Sequence, residues 1–405
     1  MSEGFTRQHE ELRLEVREYA RQHIAPVARE LDEHSRFLWD NVRGMAERGW
    51  LGVNIPVEYG GLGLDYVSYL IVLEELARTD VSHCITISAH STLASSPILN
   101  FGTESQKQRY LPLLAGGRVL GGFGLTEPSA GSDAAASRTV AIPANGGYRL
   151  NGSKIFITHA GVGEVFVVTA VTDRSQGTRG ITSFIVTKPT TDMAEAERVG
   201  VGHASELEPF TPGVRAGKKE DKMGWRASDT RELILTDAEV PETSRLGAEG
   251  EGFVNFMKTL DSGRIGLAAL SLGLARGAFD AALAYHQGRE PADGPDDDRQ
   301  AAHFALADMA TEIQAASHLV YDAGRLKEAG RSYTREASMA KLFASELAMR
   351  ATTQAVQLLG ADGYSADWPV ERMMRDAKIC EIGEGTSEVQ RLVIARSFLR
   401  DSSGR

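Results

Sequence analysis

The periodicity of apolar residues changes twice along this chain, and that change constrains the fold more than any single motif. Up to about residue 120 the spacing is helical. Leu12, Val16, Ile24, Val27 and Leu31 share one helical face, and Thr6 is placed to cap the first turn. Pro26 is expected to kink or end that helix, because it lacks a backbone N–H. Further helices are expected over 36–49, 65–78, 82–101 and 104–114, with Gly-rich turns between them such as Tyr59-Gly60-Gly61-Leu62-Gly63. From about 122 to 240 the runs become short and β-branched: Glu164 to Ala170, Thr182 to Val186 and Glu232 to Thr236. Tyr148 to Leu150 and Lys154 to Ile157 flank Asn151-Gly152, which predicts a hairpin turn there. Residues 191–210 are polar and aperiodic and read as an inserted surface loop. After Pro241 the helical spacing returns, over 250–287, 299–329, 334–359 and 386–399, with a short helix near 369–378. Tight turns at Gly330 and Gly360 suit an antiparallel bundle. The expected fold is therefore α+β. It has an N-terminal helical domain over 1–121, a small β-barrel or sandwich over 122–241, and a C-terminal antiparallel four-helix bundle over 242–405.

This order excludes several function classes. There is no βαβ alternation, no G-x-G-x-x-G and no phosphate loop ending in Gly-Lys-Ser/Thr, so a nicotinamide dehydrogenase and a P-loop NTPase are set aside. The formal charge of -11, without a basic run, argues against nucleic acid and anionic membranes as partners. No apolar stretch is expected to reach membrane-spanning length. The polar, acidic N-terminus lacks a signal core, so a cytoplasmic location is expected. Cys84 and Cys380 are far apart in sequence. They make no disulfide framework and no metal spacing, which suits a reducing compartment and predicts no metal.

Four short segments could carry chemistry. Glu384 lies between Gly383 and Gly385, followed by Thr386 and Ser387 as caps and Glu388 in a first turn; on residues alone, a solvated glutamate is the commoner outcome. Gly124 to Asp133 mixes hydroxyls, glycines and Pro128, which suits a pyrophosphate and a domain-boundary loop about equally. Phe156 and Thr158 share one strand face and could wall and bond a planar ring, though a core Phe beside a β-favouring Thr is the plainer reading. Arg264 falls on an apolar helical stripe with Phe253, Phe256, Met257, Leu260 and Leu267. There it needs an anionic partner, either a ligand or a bundle ion pair such as Asp261.

Together the segments resemble the acyl-CoA dehydrogenases. Glu384 to Arg391 repeats the catalytic-base signature E-G-T-S-E-x-Q-R, and Thr126 to Asp133 repeats the flavin loop T-E-P-x-A-G-S-D. The wording Leu260-Asp261-Ser262-Gly263-Arg264-Ile265-Gly266 is most like the short-chain members. In isovaleryl-CoA and long-chain members the base stands at the position of Gly263. Further matches run through Pro56 to Gly63, Asn100 to Glu104, Lys219 to Arg226, Ala307 to Ala310 and Met374 to Ile379. The resemblance implies FAD as cofactor, an acyl-CoA as substrate, electron-transferring flavoprotein as partner, and a homo-oligomer, usually a tetramer. It implies Glu384 as the base that takes the α-proton while the β-hydride passes to flavin N5, giving a trans-2-enoyl-CoA. FAD would be met by Phe123, Leu125, Thr126, Gly131, Ser132, Phe156, Ile157 and Thr158. Arg289, Gln300, Gln357, Leu358, Leu359, Gly360 and Ala361 would complete its site across a subunit interface, and Thr386, Ser387 and Glu388 would complete it after the catalytic loop. The substrate would be met by Ser132, Asp261, Arg264 and Gly385. The chain departs from the family pattern at Ala292 and Asp293, where an aromatic and a glycine are usual, and at His159, where asparagine is usual. Two alternatives remain at this stage: a flavin monooxygenase or nitroalkane-oxidase-like enzyme on the same fold, and a flavin-free helical interaction protein.

Overall fold

A computed structural model describes residues 4–288 and 296–402, with side chains described over 4–288 and 300–399. The N-terminal helices are α1 (Arg7–Tyr19), α2 (Ala25–Glu33), α3 (Trp39–Glu47), α4 (Tyr66–Ala77), α5 (Val81–Ser88), α6 (Ser96–Phe101) and α7 (Glu104–Ala115). Thr6 caps α1 in a reciprocal pair with His9. Pro26 sits in the first turn of α2, and the five residues before α2, Ala20–Ile24, widen into a π-helical turn. Every residue of α4 is buried, so this helix is the centre of the domain.

The middle domain is one sheet of eight strands: β1 (Gly121–Gly124), β2 (Val140–Ala144), β3 (Gly147–Thr158), β4 (Val165–Val171), β5 (Ile181–Thr187), β6 (Val214–Lys219), β7 (Thr230–Pro241) and β8 (Arg245–Leu246). The order is β6-β7-β3-β2-β4-β5-β8, with β1 parallel to β4. The hairpin turn is not at Asn151-Gly152. Ala144 pairs with Gly147, so Asn145-Gly146 makes the two-residue turn and β3 runs on through Gly152. There β3 bulges against β7, and a Cβ at Gly152 would stand 2.7 Å from Thr139 Cβ, so the glycine serves a close approach. Residues 191–210 also differ from the expected surface loop. They form α8 (Met193–Val199), bury Ala196, Val199, Val201, Ala204 and Leu207, and accept a 2.6 Å hydrogen bond from Trp39 Nε1 at Asp192.

The C-terminal helices are α9 (Gly252–Gln287), α10 (Asp296–Glu328), α11 (Thr334–Leu359), α12 (Ala361–Tyr364), α13 (Val370–Ala377) and α14 (Ser387–Ser402). α9 is long and apolar enough to cross a membrane by length and composition, contrary to the sequence expectation. Two-thirds of its most apolar window is buried, against α4, α10 and α11, which marks it as the bundle's core helix. The middle and C-terminal domains are joined at Gly224-Trp225. Trp225 N donates to Asp376 Oδ1 at 2.6 Å, and a Cβ at Gly224 would stand 2.6 Å from Arg375 O.

Candidate active site

The loop between Cys380 and α14 carries Glu384 at φ +53 and Gly385 at φ +91. A left-handed glutamate costs on the order of 1–3 kcal/mol, so the surroundings must impose it. From α14, Gln390 Nε2 donates to Gly385 O at 2.9 Å and Glu384 O at 3.3 Å. From α11, Lys341 Nζ donates to Gly385 O at 2.8 Å. Thr386 caps α14 by accepting from Val389 N at 3.3 Å, and Ser387 is buried.

That turn lays the Glu384 carboxylate against Gly263 of α9. A Cβ at Gly263 would stand 2.1 Å from Glu384 Oε2, so no larger residue leaves the carboxylate where it is. The residue as a whole is half-buried, but Oε2 is closed from solvent and has no hydrogen-bond partner. Burial raises Glu384 from the ordinary carboxylate range to about 7, against the opposing charges of Lys341 and Arg264. One turn further along α9, a Cβ at Gly266 would meet Ser88 Oγ at 3.3 Å and Leu73 Cδ1 and Tyr69 OH at 3.5 Å. Both hydroxyls are buried without partners. Two consecutive turns of α9 thus present glycines, one to the base and one to the buried Ser88 and Tyr69 hydroxyls.

Arg264 is buried at 2% exposure and donates to Asp261 at 2.6 Å, so the bundle ion pair exists; its Nε has no partner. Burial raises Asp261, whose Oδ2 also accepts from Thr334 at 2.6 Å.

The second constellation is on the sheet. Phe123 stacks on Phe256 of α9, with ring centroids 6.1 Å apart. Beyond β1, the Leu125-Thr126 backbone runs beside β3: Ile155 N donates to Thr126 O at 2.8 Å and Lys154 Nζ to Leu125 O at 3.3 Å. Thr126 is thereby brought beside Ile155, next in the chain to Phe156. Phe156 stands at φ +57, a backbone state uncommon for phenylalanine, and its ring is 63% exposed. Ser132 and Gly131 are exposed, and a Cβ at Gly131 would meet nothing within 4 Å. An exposed ring, flanking hydroxyls and an open Gly-Ser turn fit a flavin with its pyrophosphate. Ile157 is only 3% exposed, so its side chain belongs to the sheet core and only its backbone is available to a ligand. His159, at the departure from the family pattern, is buried and its Nδ1 pairs with Gly121 O at 2.8 Å.

Other predicted residues lie apart. Gln300 is exposed on α10, and Gln357, Gly360 and Ala361 are exposed at the end of α11. Among the described residues no hydrogen bond joins them to the Thr126 loop. Arg289, Ala292 and Asp293 lie outside the described residues. Sequence reasoning missed Lys341, whose helical neighbours made it look like one more bundle position. It also missed Glu127 and Lys154, a buried pair 2.7 Å apart that pins the Thr126 loop to β3. Burial disfavours the charge on Glu127, but Lys154 with Ser137 and Thr139 outweighs it and holds the group at about 2; burial pulls Lys154 down to about 8. Between those limits both are charged.

Three domain families match in order: "Acyl-CoA dehydrogenase, N-terminal domain" over residues 6–118, the middle domain over 122–238 and the C-terminal domain over 250–399. The chain belongs to the acyl-CoA dehydrogenase family, which consists of flavoprotein oxidoreductases. It is 46% identical over 400 residues to "Acyl-CoA dehydrogenase, short-chain specific" of Clostridium acetobutylicum, covering 99% of this chain and 100% of the relative. Butyryl-CoA dehydrogenase from Megasphaera elsdenii superposes with a TM-score of 0.90 at 41% identity, over 98% of this chain and 100% of that one. A chain in the structure described as "Electron transferring flavoprotein of Acidaminococcus fermentans: Towards a mechanism of flavin-based electron bifurcation" superposes with a TM-score of 0.91 at 46% identity, over 99% of this chain and 100% of that one.

Proposed function

We propose that this protein is an FAD-dependent acyl-CoA dehydrogenase that converts a short or short-branched acyl-CoA to the trans-2-enoyl-CoA, with Glu384 as the base for the α-proton. The observation that carries the reading is the closed, unpartnered Glu384 Oε2 against Gly263, raised to about 7. An α-proton beside a thioester is far too weakly acidic for a free carboxylate. A desolvated carboxylate is a stronger base, and a bound acyl chain would dry its surroundings further. The Gly385 segment supplies backbone at the site, and Arg264 with Asp261 lines it from α9. The likeness to short-chain specific relatives supports a short acyl chain.

FAD, when bound, supplies the two-electron acceptor for the hydrogen lost from the β-carbon. Phe123, Leu125, Thr126, Gly131, Ser132, Phe156, the Ile157 backbone and Thr158 would hold it, with Thr386, Ser387 and Glu388 beyond the catalytic loop. Arg289, Gln300 and Gln357 to Ala361 would act from a second copy of the chain, in a homotetramer. The domains would divide at 121/122 and 241/242. Electrons would pass to electron-transferring flavoprotein, a reading supported by the Acidaminococcus likeness, and the enzyme would work in the cytoplasm.

The test is the visible spectrum of the purified protein before and after anaerobic butyryl-CoA. A yellow flavin band that bleaches is expected, and Glu384→Gln should keep the band and fail to bleach. Bleaching by the Glu384→Gln protein would remove Glu384 as the base. A colourless protein that takes up no added FAD would end the enzyme reading.

A further inference from the structure

The two consecutive left-handed residues at Glu384 and Gly385 need an external support, and the side chains that hold them are of different kinds. Gln390 belongs to α14, the helix that continues from the loop, so it moves with the loop. Lys341 belongs to α11, where it is fully buried among Ala337, Ala340 and Ala344. Its ammonium reaches Gly385 O at 2.8 Å, and among the described residues no carboxylate pairs with it directly. A buried ammonium without a direct ion pair is costly and calls for a role.

We propose that Lys341 is a positioning residue for the reaction: its buried ammonium fixes the Gly385 carbonyl, and through it the left-handed turn that aims Glu384 at Gly263. The same ammonium is a fixed positive charge behind the base. Glu384 faces Lys341 from α11 and Arg264 from α9, with Tyr66 and Tyr69 on α4; Lys341 itself faces Cys380, Glu381, Glu384, Glu388 and Arg264. Lys341 is the leading influence that opposes the burial of Glu384. Burial lowers Lys341 itself to about 8, against the opposing pull of Cys380 and Glu384. Removing it should move the acid limb of kcat/KM to higher pH, because the base then stays protonated longer.

The proposal rests on Glu384 being the base, and two variants of the flavin-loaded enzyme test it. Lys341→Met removes both the hydrogen bond and the charge; Lys341→Gln keeps a donor and removes only the charge. Both should shift the acid limb of kcat/KM upward by about one pH unit or more. Lys341→Met should also lose at least roughly tenfold in kcat, as a displaced base does, and Lys341→Gln should recover much of that loss. Hydrogen exchange in the 378–390 segment should rise in Lys341→Met and remain near wild type in Lys341→Gln. If Lys341→Met does not fold, the pH shift and exchange of Lys341→Gln decide. An unmoved acid limb, or unchanged exchange in Lys341→Met, overturns the role of Lys341. If wild type bleaches with no acyl-CoA, the enzyme reading fails instead, and the exchange result still judges the loop anchor.

Discussion

At the scale of single residues, the site depends on what is missing from one of them. Gly263 has no side chain, and the Glu384 carboxylate occupies the space where a Cβ would be. Gly263→Ala should therefore displace the carboxylate by an ångström or more. A base moved that far loses on the order of a hundredfold in rate. Flavin content should be unchanged, because Phe156 and Thr158 are on β3 and Thr126 is in the loop held against it. Stopped-flow bleaching by butyryl-CoA, compared at equal flavin content, checks this. An alanine variant with full rate would mean that the acting carboxylate is elsewhere.

Between elements, two hydrogen bonds join the β6–β7 connection to α13: Trp225 N donates to Asp376 Oδ1, and the Arg375 guanidinium to Met223 O at 3.1 Å. Burial, with the Asp80 charge next, pushes Asp376 up to about 8, so its carboxyl is largely protonated at neutral pH. Because this folded value lies above the ordinary one, the group's stabilising share is full below about pH 4 and is lost as the pH climbs to about 8. Asp376→Asn keeps an acceptor for Trp225 and cannot ionise. Its melting temperature relative to wild type should rise steadily from pH 5 to pH 8, by an amount corresponding to on the order of 2–4 kcal/mol. Thermal melts of the flavin-loaded proteins across that range decide, and a difference that does not change with pH would count against a buried, neutral Asp376. The pair of Glu127 and Lys154 does comparable work within the sheet, where it fixes the Thr126 loop to β3.

For the whole molecule, the exposed apolar side chains matter most. Phe156, Ile379, Ile382, Leu392, Phe398 and Leu399 are among them, between 37% and 70% exposed. Flavin and further copies of the chain are the occupants proposed for this surface. Light scattering of the flavin-loaded protein should give four times the 43.8 kDa chain mass. A monomer that keeps its flavin would remove Gln357 to Ala361 from the cofactor site.

The sequence by itself determined the helix, strand, helix order, because apolar spacing reports locally on helix or strand. It also determined the Thr6 cap, the break in the first helix at Pro26, and the family, because Glu384 to Arg391 and Thr126 to Asp133 are contiguous motifs. The tertiary structure alone decided which Asn-Gly turns. Both pairs have the right local chemistry, but β7 holds β3 straight through Asn151-Gly152 and leaves Asn145-Gly146 as the turn. It alone decided that the polar 191–210 segment folds onto Trp39, and that the apolar α9 is enclosed by other helices. It also put Gly263 under Glu384 and Lys341 behind it. Burial, desolvation and charge pairing act between residues far apart in the chain, so no local spacing records them.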